Sequence, residues 1–181
     1  MEILTLENPR WEALTSNTQK AFHLLSNVDI IQDYYLAGGT GLALHLGHRF
    51  SVDLDFFSEI RDAVNSVERS IFREAIHSPD LEIVIDKDTT FVAHWKKVGI
   101  SFFRLENYPL IHPPLELEGI KIANVQDIGA MKLAAIIDRG SRKDLVDLYF
   151  ILQQVSLEDI FHIAAKKYPK VRSFPASALR G

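Results

Sequence analysis

The fold is decided by one stretch, residues 38–57, which read GGTGLALHLGHRFSVDLDFF. A short aromatic and apolar segment, residues 33–37, precedes it and predicts a strand that ends in a glycine turn. Residues 40–46 then predict a helix, since they are mostly apolar and a glycine follows them. Residues 51–57 alternate in part between polar and apolar side chains, so they predict a second strand.

The glycine turn and the helix start behind it favour an anion site. Glycine lets the backbone turn sharply and approach a ligand closely. Free backbone N–H groups at a helix N-terminus, with the helix dipole behind them, attract negative charge. Gly38, Gly39 and Thr40 are therefore predicted to hold phosphate oxygens, with the Thr40 hydroxyl as an added donor. A Gly-Gly-Thr run on its own is most often a plain turn.

Two aspartates follow on the second predicted strand. Side chains two residues apart on a strand share a face, so Asp53 and Asp55 point to one side while Leu54 and Phe56 point to the other. Two neighbouring carboxylates repel each other unless a cation lies between them. Mg²⁺ takes few protein carboxylates and completes its shell with water and phosphate oxygens. The pair is therefore a candidate Mg²⁺ site, although such pairs more often lie on a solvated edge.

The bulk composition is that of an ordinary globular protein, and it excludes several kinds of site. The chain has 181 residues, of which 47% are hydrophobic and 24% are charged, and this suits one domain with a real core. It contains no cysteine, which excludes a disulfide scaffold, a thiolate zinc site and a cysteine nucleophile. The formal net charge of −4 indicates no general affinity for nucleic acid, although local basic patches are compatible with it.

The first residues and the hydropathy pattern predict a cytoplasmic protein. Residues 1–10 lack the basic start and the apolar run of a signal peptide. No stretch approaches the ~18 consecutive apolar residues of a membrane-spanning helix. We therefore expect no membrane partner.

Outside residues 38–57 the pattern changes at about residue 123. Amphipathic helices and short strands are mixed before it, and three helices are predicted after it. The other predicted helices cover residues 11–26 and 63–77, and the other predicted strands cover residues 81–85, 90–95, 98–104 and 120–123. We predict an α/β (α+β) core, residues 1–123, with a helical lobe, residues 124–181, packed on it as a single compact unit.

Two dipeptides are predicted hairpin connections. Asp88-Thr89 lies between the predicted strands 81–85 and 90–95, and Lys96-Lys97 joins the predicted strands 90–95 and 98–104. Residues 110–119 contain two adjacent prolines and predict a loop. Trp95 and the two lysines after it have two interpretations. They either contact nucleic acid by stacking and charge, or form a hairpin tip whose lysines protect a sheet edge, which we favour.

The motifs at residues 38–57, together with two later ones, resemble a known family. The signature of Gly-Ser or Gly-Thr, a short helix and Asp-x-Asp is that of the DNA-polymerase-β-like nucleotidyltransferase superfamily. The runs at residues 38–44 and 48–57, together with the later elements, resemble those of the AbiEii/AbiGii-type nucleotidyltransferase toxins. The matching runs are Gly39-Thr40, Asp53-Leu54-Asp55, Lys132-Leu133-Ala134-Ala135-Ile136, Arg139, and Lys143-Asp144-Leu145-Val146-Asp147-Leu148. The likeness runs from about residue 36 to residue 152, most of the chain.

The resemblance implies a fold, an activity and partners. It implies a mixed β-sheet nucleotidyltransferase core flanked by helices, with a C-terminal helical lobe. The implied activity is Mg²⁺-dependent transfer of a nucleoside monophosphate from a nucleoside triphosphate to an acceptor, with release of pyrophosphate. The acceptor would be RNA, such as the 3′ end of transfer RNA, or a protein. The chain would be the toxin of a toxin–antitoxin or abortive-infection system, with a cognate antitoxin.

The resemblance also implies roles for individual residues. These are triphosphate contacts by Gly38, Gly39, Thr40 and Arg49, Mg²⁺ ligation by Asp53 and Asp55, phosphate neutralisation by Lys132, and orientation or deprotonation of the acceptor by Asp144. Many superfamily members carry a third carboxylate on a following strand. Glu82 and Asp86 are candidates for it by position, and Asp144 is another.

Ordinary structural interpretations stand beside these roles. Lys132 could be a surface lysine whose stem lies along an apolar helix. Asp144 could simply favour a helix start. Asp147 could pair with Arg142 or Lys143 at helical spacing. We favour function for Asp144 and structure for Asp147. For the whole protein, the alternatives to an RNA-modifying enzyme are a protein-modifying (AMPylating) enzyme and a catalytically silent nucleotide-binding module.

Overall fold

The computed structural model describes residues 4–169, which form a mixed seven-stranded sheet and six α-helices. The strands are β1 (Tyr35–Leu36), β2 (Leu54–Ser58), β3 (Leu81–Lys87), β4 (Thr90–Trp95), β5 (Val98–Arg104), β6 (Leu115–Leu117) and β7 (Ile120–Ile122). The helices are α1 (Ser16–Ser26), α2 (Gly38–Leu46), α3 (Ser66–Ala75), α4 (Val125–Arg139), α5 (Arg142–Ile151) and α6 (Leu157–Lys167). This architecture confirms the predicted fold class.

Strand β2 lies at the centre of the sheet, whose order is β3-β4-β5-β2-β1-β7-β6. It pairs antiparallel with β1 and parallel with β5, and the parallel pairing places Asp55 beside Ser101. Strands β3, β4 and β5 form an antiparallel meander whose connections are the two predicted hairpin dipeptides. Because β2 is a central strand, both of its edges are hydrogen-bonded to neighbouring strands.

Two hydrophobic cores lie on opposite faces of the sheet. The first packs α1 and α3 against the sheet and contains Phe56, Phe72 and Phe102. The rings of Phe56 and Phe102 stack with centroids 4.9 Å apart, and those of Phe72 and Phe102 stack with centroids 3.7 Å apart. The second core joins β1 to α2, α4 and α6. As predicted, Leu54 and Phe56 point into the first core, so Asp55 points toward the helices of the second.

Several element boundaries differ from the sequence prediction. Strand β2 begins at Leu54, so Asp53 lies immediately before the strand and not within it. The segment predicted as a loop contains strand β6, which pairs antiparallel with β7. A short strand at a sheet end is decided by its partner, and that pairing is invisible in local composition. Residues 170–181, the end of the predicted helical lobe, lie outside the described residues.

The last strand ends at Ile122, and α4 begins at Val125. The proposed division of the chain at residue 123 stays a prediction. Within residues 4–169, no helix combines the length and the apolar character that crossing a bilayer requires.

The aromatic stack in the first core makes a stability prediction. Phe102→Ala removes a fully buried ring between Phe56 and Phe72 and is expected to lower the free energy of unfolding by about 3–5 kcal/mol. Urea denaturation followed by circular dichroism measures this change. Val84→Ala is the matched control, since Val84 is half exposed on an edge strand, and its effect should stay within about 0.5 kcal/mol. Equal effects of the two substitutions would contradict the described core.

Candidate active site

Helix α2 begins with backbone amides that have no side-chain cap. Its N-cap residue, Ala37, makes no capping hydrogen bond, whereas each of the other five α-helices in residues 4–169 has a side chain that accepts from its first turn. Gly38 has a left-handed φ of +63°, and a Cβ at this position would lie 2.8 Å from Asp55 Oδ2. Uncapped amides at a helix start are an anion site, and here this site lies against Asp55.

The two aspartates lie on the same side of the sheet as this helix start. Gly39, Asp53 and Asp55 line one small pocket of about 140 Å³, which we call the central pocket. Asp53 is exposed, and its Oδ1 accepts a hydrogen bond from the Gly99 backbone at 3.2 Å. Burial, and after it the negative charge of Asp53, raise the pKa of Asp55 above its ordinary value. The helix start that could bind phosphate and the two carboxylates therefore lie at one pocket.

This carboxylate pair fits a divalent cation. Within residues 4–169, neither Asp53 nor Asp55 takes part in an ion pair, so the repulsion that raises the pKa of Asp55 has no neutralising partner in direct contact. No cluster of three or more His, Asp or Glu side chains in the described part of the chain is arranged to hold a metal by itself. Mg²⁺ bound by two carboxylates would take its remaining ligands from water and phosphate, as this ion commonly does.

Thr40 ties the helix start to the aspartate loop. Its side chain is buried, lies 2.8 Å from Ser51 Oγ and donates to the Asp53 backbone carbonyl. The hydroxyl predicted to contact phosphate thus already has two partners within the protein. Thr40 therefore fixes where Asp53 lies relative to α2, and only its backbone remains for a phosphate contact.

A buried ionic network stands behind the central pocket. Asp147 is fully buried and accepts from His48 Nε2 at 2.7 Å, from Arg49 Nε at 2.6 Å and Nη2 at 2.9 Å, and lies 2.6 Å from Lys132 Nζ. These hydrogen bonds outweigh the effect of burial and hold the pKa of Asp147 well below its ordinary value. The carboxylate is thus ionised at neutral pH and fixes three side chains around the pocket.

The observed partners of Asp147 correct its predicted pairing. Helical spacing suggested Arg142 or Lys143, but the carboxylate points inward to His48, Arg49 and Lys132. The reason is tertiary: the loop after α2 and the middle of α4 bring cations to the buried face of α5. Lys132 is likewise buried and paired, so the interpretation as a surface lysine is wrong.

Asp144 belongs to the same network. Its carboxylate accepts from Lys132 Nζ at 2.8 Å, from Arg139 Nε at 3.0 Å and from Ser141 Oγ at 2.8 Å. Burial raises the pKa of Asp144, but the hydrogen bonds from Arg139, Lys132 and Ser141 outweigh it and lower this pKa to about 2. A carboxylate with so low a pKa is a poor proton acceptor. The structure therefore favours an orienting role for Asp144 over deprotonation of an acceptor.

Asp55 also lines a larger cleft of about 570 Å³ between the sheet and α4. Its lining is mainly aromatic and aliphatic, and it also includes the α2 start and charged side chains, among them Asp55 and Lys132. The apolar lining comprises Phe57, Phe103, Leu105, Ile128, Met131, Ala134, Ala135 and Tyr168. Phe57 and Phe103 stack on each other with centroids 5.5 Å apart. A cleft that combines charged groups with aromatic and aliphatic walls suits a nucleoside phosphate.

Sequence reasoning did not assign these walls to the site, and it did not assign Arg139. Phe57 could have been found, because it shares a strand face with Asp55 by period-two alternation. Phe103 could not, because β5 joins β2 only through a pairing distant in sequence. Arg139 was part of the family resemblance, but the resemblance gave it no role. That its side chain is 62% exposed and lines the cleft follows only from the tertiary structure.

The structure shows where the candidates for a third carboxylate lie. The residue paired with Asp55 on β5 is Ser101, which hydrogen-bonds to Asp55 and carries no charge. Asp86 forms ion pairs with Arg69 and Arg73 of α3, away from the pocket. Glu82 lines a different groove that reaches Asp53 from outside. Asp86 is therefore excluded as a partner of Asp53 and Asp55.

Comparisons with known proteins agree with this geometry. The family described as "Nucleotidyl transferase AbiEii toxin, Type IV TA system" matches residues 22–175. An uncharacterised protein of Aquifex aeolicus (strain VF5), aq_aa25, is 33% identical over 162 residues, which cover 87% of this chain and 77% of that protein.

Two solved structures share the fold. JHP933 from Helicobacter pylori has a TM-score of 0.56 at 21% identity, with 90% of this chain and 83% of that chain covered. The antibiotic-resistance factor ANT(2'')-Ia has a TM-score of 0.61 at 11% identity, with 92% of this chain and 100% of that chain covered.

The raised pKa of Asp55 predicts a stability change of definite sign. Folding disfavours the ionised carboxylate, so Asp55→Asn should raise the free energy of unfolding at neutral pH without Mg²⁺. The gain should vanish below the ordinary pKa of an aspartate, where the carboxyl is protonated in both states, and grow as pH rises through the folded pKa. Urea denaturation across this range measures it.

Asp62→Asn is the control for this experiment, since Asp62 is exposed and outside the site. Its effect should stay within about 0.5 kcal/mol at every pH. A clear loss of stability for Asp55→Asn at neutral pH would show instead that the Asp55 charge holds the fold together.

Proposed function

The chain belongs to the AbiEii nucleotidyl transferase toxin family, and we propose that it transfers a nucleoside monophosphate from a nucleoside triphosphate to an RNA acceptor. The observation that carries this proposal is a convergence on one pocket. The uncapped start of α2, the pair Asp53 and Asp55, and Lys132 all line the central pocket, which adjoins the aromatic cleft. These are the parts that phosphoryl and nucleotidyl transfer require.

The substrate binds in two parts in this proposal. The nucleoside lies in the cleft against Phe57 and Phe103, because the aromatic faces there offer a stacking surface. The triphosphate lies at the α2 start, where backbone amides and the helix dipole attract its charge. Lys132 and Arg139 line the same cleft and neutralise phosphate oxygens.

Asp53 and Asp55 would hold Mg²⁺ beside the triphosphate. When bound, this ion supplies positive charge that stabilises the transferred phosphorus centre and the leaving pyrophosphate. The acceptor hydroxyl oxygen forms a bond to the α-phosphorus while the bond from that phosphorus to the bridging oxygen breaks. Pyrophosphate leaves with the bridging oxygen, and the hydroxyl proton passes to solvent. No covalent intermediate with the protein is needed.

Asp144 and Asp147 act on this reaction through the cations that they hold. Each carboxylate contacts Lys132, and Asp144 also holds Arg139. Fixing these side chains before substrate arrives reduces the reorganisation that the transition state would otherwise require. They are therefore positioning residues in this proposal.

A role in a toxin–antitoxin system is part of the proposal. It rests on the family description, which names a type IV system. A toxin that modifies RNA would need a cognate antitoxin to restrain it, and the neighbouring gene is where such a partner would be sought.

Label transfer tests the activity. The purified protein is incubated with each α-labelled nucleoside triphosphate, Mg²⁺ and total cellular RNA, and labelled RNA and released pyrophosphate are both measured. Asp53→Asn and Asp55→Asn should each lower the rate on the order of 100-fold or more, since they remove groups that hold the charge-stabilising ion. Asp62→Asn should leave it unchanged. Absence of label with every nucleotide, or full activity of both site variants, would refute the proposal.

Arg139 offers a separate test of nucleotide binding. Arg139→Gln should weaken nucleoside triphosphate affinity roughly tenfold, because it removes one charge-assisted phosphate contact. Stability should change by less than about 1 kcal/mol, since the side chain is 62% exposed and its ion pair is screened by water. Calorimetric titration measures the affinity, with Arg142→Gln, at an exposed position on α5, as the control. Unchanged affinity would remove Arg139 from the site.

A further inference from the structure

An open groove of about 720 Å³ lies beside the hairpin that joins β4 and β5. Asp53, Lys96, Lys97 and Gly99 are among its lining residues. Asp53 also lines the central pocket, and Asp55 lines both the central pocket and the aromatic cleft. The groove, the central pocket and the cleft are thus consecutive, with one aspartate at each junction.

The floor of the groove is shaped to bring a ligand close to Asp53. Gly99 donates its backbone N–H to Asp53 Oδ1 at 3.2 Å, and a Cβ at this glycine would lie only 2.7 Å from the same oxygen. Any other residue there would displace the carboxylate or block its approach. The absence of a side chain keeps Asp53 accessible from the groove.

Two cations stand at the groove in an unfavourable backbone conformation. Lys96 and Lys97 form the two-residue hairpin turn with φ values of +49° and +69°. Turns with two left-handed residues favour Asn-Gly, because a Cβ destabilises this conformation. Both lysines are exposed. The turn therefore carries two positive charges at the cost of a less stable backbone conformation, and such strained positions often occur at binding sites.

The hairpin turn is held in place on two sides. Asn17 of α1 donates to the Lys96 backbone carbonyl at 3.0 Å. The Lys96 ammonium lies 4.9 Å from the centroid of the Trp95 ring, and this ring is buried in the first core. Trp95 therefore cannot stack on nucleic acid, which corrects that part of the earlier interpretation. Of residues 95–97, the two lysines line the groove and Trp95 does not.

We propose that this groove receives the acceptor, and that Lys96 and Lys97 bind backbone phosphates of an RNA. The inference rests on the proposed function. In phosphoryl transfer the attacking and leaving oxygens lie roughly in line. The α2 start, Lys132 and Arg139 occupy the side where pyrophosphate would leave, so the acceptor approaches from the Asp53 side. That side is the groove.

Acidic groups in the groove limit how far the RNA contact extends. Asp80 and Glu82 also line it, and Glu82 lies 3.8 Å from the His94 ring. These carboxylates would repel phosphates at their end. The phosphate contact is therefore confined to the hairpin turn next to Asp53, and binding should be moderate and salt-sensitive.

The test replaces the turn by the sequence that its backbone prefers. In the variant K96N/K97G both charges are lost while the turn becomes more favourable, so the protein should be at least as stable as the wild type. Binding of labelled bulk transfer RNA is measured at several salt concentrations, together with calorimetric affinity for the nucleoside triphosphate. The control K20Q/K166Q removes two exposed lysines from α1 and α6, so it has the same net charge as K96N/K97G.

The expected result is a loss of RNA affinity of about tenfold or more, with the slope of log affinity against log salt reduced by about 2. The affinity of K96N/K97G for the nucleoside triphosphate should stay close to that of the wild type. The control should bind RNA as the wild type does. Equal RNA affinity and equal salt slopes for K96N/K97G and the control would overturn the inference.

The acceptor class is tested by the same variants in the label-transfer assay. Label that appears on protein and survives nuclease treatment would overturn an RNA acceptor in this groove. If the wild type transfers no label, and K96N/K97G binds RNA more weakly than the wild type, the results would contradict the proposed function and support RNA binding in the groove. The two failures are therefore distinguishable.

Discussion

A carboxylate buried away from water requires compensating charge, and Asp147 is the point at which this requirement organises the molecule. Its fully buried side chain takes hydrogen bonds and ion pairs from His48, Arg49 and Lys132. Removing one partner of such a group leaves a buried charge without compensation, at a cost of about 3–5 kcal/mol. The loop after α2, helix α4 and helix α5 are thereby locked together at the back of the central pocket.

The other face of the pocket depends on the position of β2 at the centre of the sheet. A central strand with a core on each side must place alternate residues in both. Leu54 and Phe56 enter the core of α1 and α3, so Asp55 and Phe57 face α4. An acid thus lies where burial and a neighbouring acid both disfavour its charge. Stability alone would not select a carboxylate there, which supports the proposed cation site.

The two sets of carboxylates differ in how they are neutralised. The network carboxylates, Asp144 and Asp147, are satisfied by protein cations, and their pKa values lie below the ordinary range. Asp55 has no such partner in contact among residues 4–169, and its pKa is raised. Oppositely shifted acids a short distance apart indicate a division of roles. Asp144 and Asp147 hold protein cations in place, whereas Asp53 and Asp55 form no ion pair within residues 4–169.

The local chemistry of this protein could be predicted from its residues alone. The glycine turn, the helix that ends at Gly47 and the period-two placement of Asp55 against Leu54 and Phe56 are all near-neighbour effects, and steric preferences and alternation predict them. The two hairpin dipeptides were found because each lies between two predicted strands and not because their residues favour a turn. The family motifs could also be recognised from the residues alone, because each motif spans only a short segment of the chain.

Which of these residues come into contact depends on how distant segments pack together. The partners of Asp147 come from residues 48, 49 and 132, the aromatic wall beside Asp55 comes from β5, and the lysine turn reaches Asp53 across the sheet. Each of these contacts joins segments far apart in the chain. Their formation depends on strand pairing and on the burial of two separate cores, which act over the whole domain, whereas a sequence pattern reports only on neighbours.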